Sequence, residues 1–116
     1  MSLGDVKLRT SGSTVIAQLS GEVDASNAQG IGQAITRGIA HDAAVLVLDL
    51  SELEYLDSAG IQLIYQLEES LRARAQHLKL VVGTDSPSID ALRLAGITSQ
   101  LDLIETVDQA LAAEPS

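Results

Sequence analysis

Apolar positions along the chain change their period several times, and each change marks an element. A first strand is predicted around Asp5 to Arg9. Ser11-Gly12-Ser13 then supplies turn chemistry, and the β-branched and apolar run from Thr14 to Ser20 predicts a second strand that completes a hairpin. Ser26 followed by Gln29 fits a capping box, after which Ala28, Ile31, Ile35 and Ile39 fall on one helical face. Val45-Leu46-Val47-Leu48 is apolar without alternation, the pattern of a strand covered on both faces, and Asp49 reads as a strand-end residue. A turn over Ser51 to Glu54 leads to Ile61, Ile64, Leu67 and Leu71, again at helical spacing, with Gln62, Glu68, Glu69 and Arg72 for the wet side. That helix is predicted to begin near Ser58.

Further on, Leu78 to Gly83 predicts a strand, and Ser86-Pro87 offers an N-cap with proline at the first helical position. Ile89, Leu92 and Ala95 continue this helix, and Gly96 stops it. Leu101 to Ile104 fits a short edge strand, Thr106 with Gln109 a second capping box, and Ala112 to Ser116 a fraying tail. Strands alternating with helices after a hairpin predict an α/β fold, a mixed sheet of about four to five strands packed with about four α-helices. Short connections leave no place for a second unit to begin, so one domain is expected over residues 1–116, its core spanning about 4–111.

Composition narrows the choice of function. Seven basic against sixteen acidic side chains give a net charge of -9, which repels nucleic-acid backbones and anionic lipid and favours a basic protein partner, while also serving solubility. Cysteine is absent, which removes thiolate chemistry and cysteine-ligated metals and is compatible with a reducing cytoplasm, the location expected here. No run of apolar residues has the length of a membrane span, and the first residues lack the pattern of a targeting segment.

Candidate chemistry is sparse. His41 and His77 are the only histidines and stand apart near helix-to-strand junctions, so neither a metal site nor a cofactor is expected. Gly30 and Gly32 fall inside the first helix, where close helix packing explains them better than a dinucleotide loop. Ser58 stands where a hydrolase nucleophile elbow would need a glycine in place of Leu56, and a hydrolase would also need a histidine to converge on it. A receiver-domain reading lacks its lysine after a late strand, Lys7 and Lys79 being the only lysines. What remains is Asp57-Ser58-Ala59-Gly60 opening a helix after a buried strand. A phosphate on Ser58 would face the helix's unsatisfied N–H groups and the positive end of its dipole, and would change the surface charge beside Asp57. The same residues also fit a plain helix cap, and the residue chemistry leaves both readings open.

Three stretches carry a resemblance: Leu19-Ser20-Gly21-Glu22-Val23-Asp24; Val47-Leu48-Asp49-Leu50 through Leu56-Asp57-Ser58-Ala59-Gly60; and Ser86-Pro87 through Leu92-Arg93-Leu94-Ala95-Gly96-Ile97. Together they resemble the anti-sigma-factor antagonists of the STAS family in order and spacing across nearly the whole chain. The resemblance implies that Ser58 is phosphorylated by a partner anti-sigma factor that is a serine kinase. It further implies that the unphosphorylated chain binds that kinase and frees its sigma factor, and that a serine phosphatase restores the binding form. Glu22 and Asp24 are then expected beside Ser58, with Asp57, Ala59, Gly60 and Gln62 completing the partner surface, and the chain is not itself an enzyme. Ala59 stands where relatives often carry a second hydroxyl, which singles out Ser58, and Ile61-Gln62 replaces a common Leu-Gly on the helix that would meet the partner. Within the same family, an unswitched interaction subunit in an assembly similar to lipid-transport ABC complexes would leave Ser58 as a cap or contact.

Overall fold

The computed structural model describes residues 5–39, 42–82, 92, 102–104 and 106–112. Its elements are β1 (Asp5–Ser11), β2 (Thr14–Val23), α1 (Ala28–Gly38), β3 (Val45–Leu56), α2 (Ser58–Ala73), β4 (His77–Val81), β5 (Asp102–Ile104) and α3 (Val107–Ala112). These five strands form one mixed sheet in the order β1-β2-β3-β4-β5. The β1 and β2 strands pair antiparallel across the Gly12 turn, where φ is +60° and a side chain would be strained, while β2, β3, β4 and β5 run parallel. The helix expected over Ser86 to Gly96 lies outside the described residues except for Leu92, which is helical and fully buried.

Strand alternation divides the core between the two faces of the sheet. Val15, Ala17 and Leu19 of β2, Leu46, Leu48 and Leu50 of β3, and Leu78 and Leu80 of β4 pack with Ile31 and Ile35 of α1 and Ile64, Leu67 and Leu71 of α2. Ile16, Val45, Val47 and Val81 point the other way and meet Ala110 of α3. This two-sided cover explains why β3 reads as continuous apolar sequence. Lys79, buried to 8 % exposure on the second face, donates from Nζ to the Ala110 carbonyl at 3.2 Å, placing its charge at the negative end of α3.

Several sequence expectations change in physical detail. The Ser51 to Glu54 turn is strand instead, and Asp49 is a buried mid-strand residue. Asp49 Oδ1 accepts from the Ser51 N–H at 3.0 Å and from the Ser51 hydroxyl at 2.6 Å, beside a register shift in the β2 pairing between Gln18 and Ser20. Local polar bonds that resemble a turn in sequence thus hold a bulge through which the strand continues. The Ser26 capping box is also absent: Asn27 is the N-cap of α1 and makes no side-chain cap bond. At α3, by contrast, Thr106 Oγ1 accepts from the Gln109 N–H at 3.1 Å, as the sequence pattern predicts.

The two glycines inside α1 separate into different roles. A Cβ on Gly32 would come within 2.6 Å of Leu63 Cδ1, so this glycine lets α1 and α2 approach, whereas nothing lies within 4 Å of a Cβ on Gly30. Close packing therefore accounts for Gly32 and not for Gly30. In urea denaturation, Gly30→Ala is expected to raise the unfolding free energy by about 0.5–1 kcal/mol, the usual gain for removing a glycine from a helix. Gly32→Ala is expected to be less stable than Gly30→Ala in the same measurement, because its methyl must displace Leu63.

Candidate partner-binding site

The strands differ in length, and that difference creates the site. The β4 strand ends at Val81, paired with Asp49, while β2 and β3 continue together as far as Val23 paired with Leu56. Their parallel ends deliver the two connections Asp24–Asn27 and Asp57 to the same tip, and the Asp57 N–H donates to the Val23 carbonyl at 3.3 Å. A second register shift lies between Gly21 and Glu22, and Gly21 has φ +79°, a conformation that a side chain would strain. Gly60 sits buried directly over the ribbon: an added Cβ would run into Leu56 and come within 3.1 Å of Val23 Cγ1. Gly60 therefore supports the tip from below instead of presenting a contact surface.

Hydrogen bonds fix both connections. Asp57, the N-cap of α2, accepts at Oδ1 from the N–H of Ala59 at 2.9 Å and of Gly60 at 3.3 Å. Asp57 thus performs the capping, and among the described residues no hydrogen bond engages the exposed Ser58 hydroxyl. On the other connection, Asn27 Nδ2 donates to the Glu22 carbonyl at 2.8 Å and Asn27 Oδ1 accepts from the Asp24 N–H at 3.0 Å. The Ser26 hydroxyl and N–H donate to Asp24 Oδ1 at 2.5 and 2.9 Å, and these bonds hold the Asp24 carboxyl below its ordinary pKa.

The structure brings Glu22, Asp24, Asp57, Ser58 and Ala59 to one tip, with Gln62 one turn further along α2. Glu52 and Glu54 on the projecting part of β3 add to its negative charge. The cations among the described residues lie elsewhere: Arg37 and Arg72 in the last turns of α1 and α2, Arg74 at the C-cap of α2, Lys7 and Arg9 on β1, and Lys79 on β4, bonded to α3. No group of acidic or histidine side chains among the described residues could hold a metal ion, and no described helix is long and apolar enough to cross a membrane.

An open groove of about 790 Å³ between α1 and α2 runs back from the tip, lined among others by Gln29, Gly32, Gln33, Ala59, Gln62 and Gln66. The pairs Gln29/Gln33 and Gln62/Gln66 stand at four-residue spacing on their helices, but only the facing of α1 and α2 brings them to one groove. Asn27 carried no sequence signal, because its role depends on the strand end folding back onto it.

Asp57→Ala is expected to lower the unfolding free energy in urea by about 1 kcal/mol, the typical effect of a lost N-cap. Asp57→Asn, which keeps an accepting oxygen, is expected to lose less. By carbon-detected NMR, the Asp24 carboxyl is expected to titrate below the usual aspartate range, and Ser26→Ala to return it toward that range. Because the folded-state pKa is depressed, the linked stability is present above the unfolded pKa and fades as pH falls through the folded one.

Comparison with known proteins agrees with this geometry. The chain is 29% identical over 97 residues to the anti-sigma-F factor antagonist RsfB of Mycobacterium tuberculosis, covering 83% of this chain and 77% of that protein. It is 33% identical over 87 residues to an anti-sigma-B factor antagonist of Listeria monocytogenes, covering 75% of this chain and 73% of the relative. The crystal structure of an anti-sigma factor antagonist from Mycobacterium paratuberculosis superposes with a TM-score of 0.84 at 26% identity, over 96% of this chain and 93% of that one. Residues 5–110 match the STAS domain, and the chain belongs to the STAS family.

Proposed function

We propose that the chain is an anti-sigma factor antagonist switched by phosphorylation at Ser58. The observation that carries this reading is the division of roles at the start of α2: Asp57 caps the helix, and the Ser58 hydroxyl is left exposed, without a hydrogen bond among the described residues. Similarity to proteins named as antagonists of anti-sigma factors supports the class of partner. Unphosphorylated, the acidic tip binds an anti-sigma factor that is also a serine kinase and thereby frees a sigma factor. The kinase transfers the γ-phosphoryl group of ATP to Ser58 Oγ, the Ser58 hydroxyl proton is lost, and ADP departs.

The product carries about -1.5 to -2 additional charge at the tip. At the helix start this charge meets the positive end of the α2 dipole, so the fold tolerates it. Across an interface matched to the unmodified carboxylates, the same charge and volume oppose docking. A serine phosphatase reverses the change by hydrolysis, and the chain acts throughout as substrate and binding protein. Glu22, Asp24, Ala59 and Gln62 form the surface read by the kinase, with Asp57 and Gly60 holding it in shape.

Incubation with ATP and the kinase-type anti-sigma factors of the same genome is expected to add one phosphate, seen by intact mass, and Ser58→Ala is expected to add none. Ser58→Asp should weaken binding on the order of tenfold to a hundredfold while leaving the circular dichroism spectrum unchanged. Modification of Ser58→Ala, or equal binding by wild type and Ser58→Asp, would contradict the switch; the second result would favour an unswitched interaction subunit.

A further inference from the structure

The chain has no Phe or Trp and two tyrosines. Tyr65 packs partly buried against the core, whereas Tyr55 is 47 % exposed at the end of β3. Among the described residues, the other exposed large hydrophobic side chain is Leu8, which lies against Gly38 away from the tip. Val23 and Leu56 turn into the core under α1 and α2, so alternation turns their predecessors Glu22 and Tyr55, which are paired in register, to the opposite face. On that face α3 packs near Val45, Val47 and Val81, at the other end of β3. The ring is thus left on the surface beside Glu22, Glu54 and the Asp57 turn.

We propose that Tyr55 is the aromatic anchor of the partner contact and that its occupant is a cationic side chain, a guanidinium, on a basic protein surface; this rests on the antagonist reading above. An aromatic ring offers a large rigid contact at small conformational cost, and tyrosine is enriched among the residues that dominate binding energy. The surroundings select the occupant. An apolar pocket closing over Tyr55 would gain nothing from the negative charge of Glu22, its register partner, and of Glu54 beside it. A guanidinium stacks on the ring face while donating to those carboxylates, satisfying both requirements with one group. Ser58 then sets whether the partner docks, and Tyr55 helps to set which partner.

The test uses the full chain and a purified kinase-type anti-sigma factor that phosphorylates Ser58, with affinity measured by calorimetry. Tyr55→Ala is expected to weaken binding by about tenfold or more, Tyr55→Phe to stay within about threefold, and Tyr55→Leu to lose about as much as Tyr55→Ala. All three should keep the wild-type circular dichroism spectrum, because the side chain is exposed. If Tyr55→Ala binds like wild type to a kinase that still phosphorylates Ser58, the anchor is wrong and the switch stands. Wild-type affinity in Tyr55→Leu would overturn the cationic occupant in favour of an apolar pocket. If no kinase both binds and phosphorylates the wild type, the switch fails and the anchor fails with it.

Discussion

Past Asp49 the sheet loses β4, past Ser20 and Glu52 it narrows among the described residues to two parallel strands, and the tip depends on Val23 and Leu56 finishing in register. Parallel pairing delivers the two following connections to one tip, so residues more than thirty positions apart in sequence become neighbours. A register slip of one residue in either strand would turn its buried side chains outward. The burial of Val23, Leu53 and Leu56 resists that slip, and Gly60 allows α2 to begin directly over the ribbon.

Residues that form one motif in sequence divide into two physical groups in space. Gly21, Asp57 and Gly60 shape the tip: one adopts positive φ at a bulge, one caps α2, and one leaves room for Leu56 and Val23. Glu22, Asp24, Ser58 and Gln62 are the residues proposed to meet a partner. Because Asp57 already caps the helix start, no hydrogen bond among the described residues depends on the Ser58 hydroxyl. Charge separation strengthens the arrangement, since the described cations gather at the far ends of α1 and α2 and on β1 and β4.

Much of the fold was legible in sequence where one physical signal dominates. The unbroken apolar run at Val45 to Leu48 marked a strand buried on both faces, and the spacing of Ile64, Leu67 and Leu71 marked the buried stripe of α2. Ser51 to Glu54 misled because short polar residues make the same local bonds in a bulge as in a turn, and only pairing with β2 distinguishes the two. Ser26 misled for a related reason: its hydroxyl bonds back to Asp24, leaving Asn27 as the cap. At the site, the motif located Ser58 and its acidic neighbours. Asn27, Tyr55 and the groove between α1 and α2 emerged only from tertiary placement, because a side-chain bond back to a strand end, a strand face that no described helix covers and a gap between helices have no one-dimensional signature.

The central claim is that a phosphate at Ser58 changes the surface of the tip and not the fold beneath it. The most direct measurement compares amide NMR spectra of the chain with serine and with genetically installed phosphoserine at position 58. Shift changes confined to the Glu22–Asn27 connection and the Leu56–Leu63 segment, with the amides of Val45–Leu50 and His77–Val81 unmoved, are the predicted result. Large changes through those central strands would contradict the account, since the switch would then act by refolding the sheet.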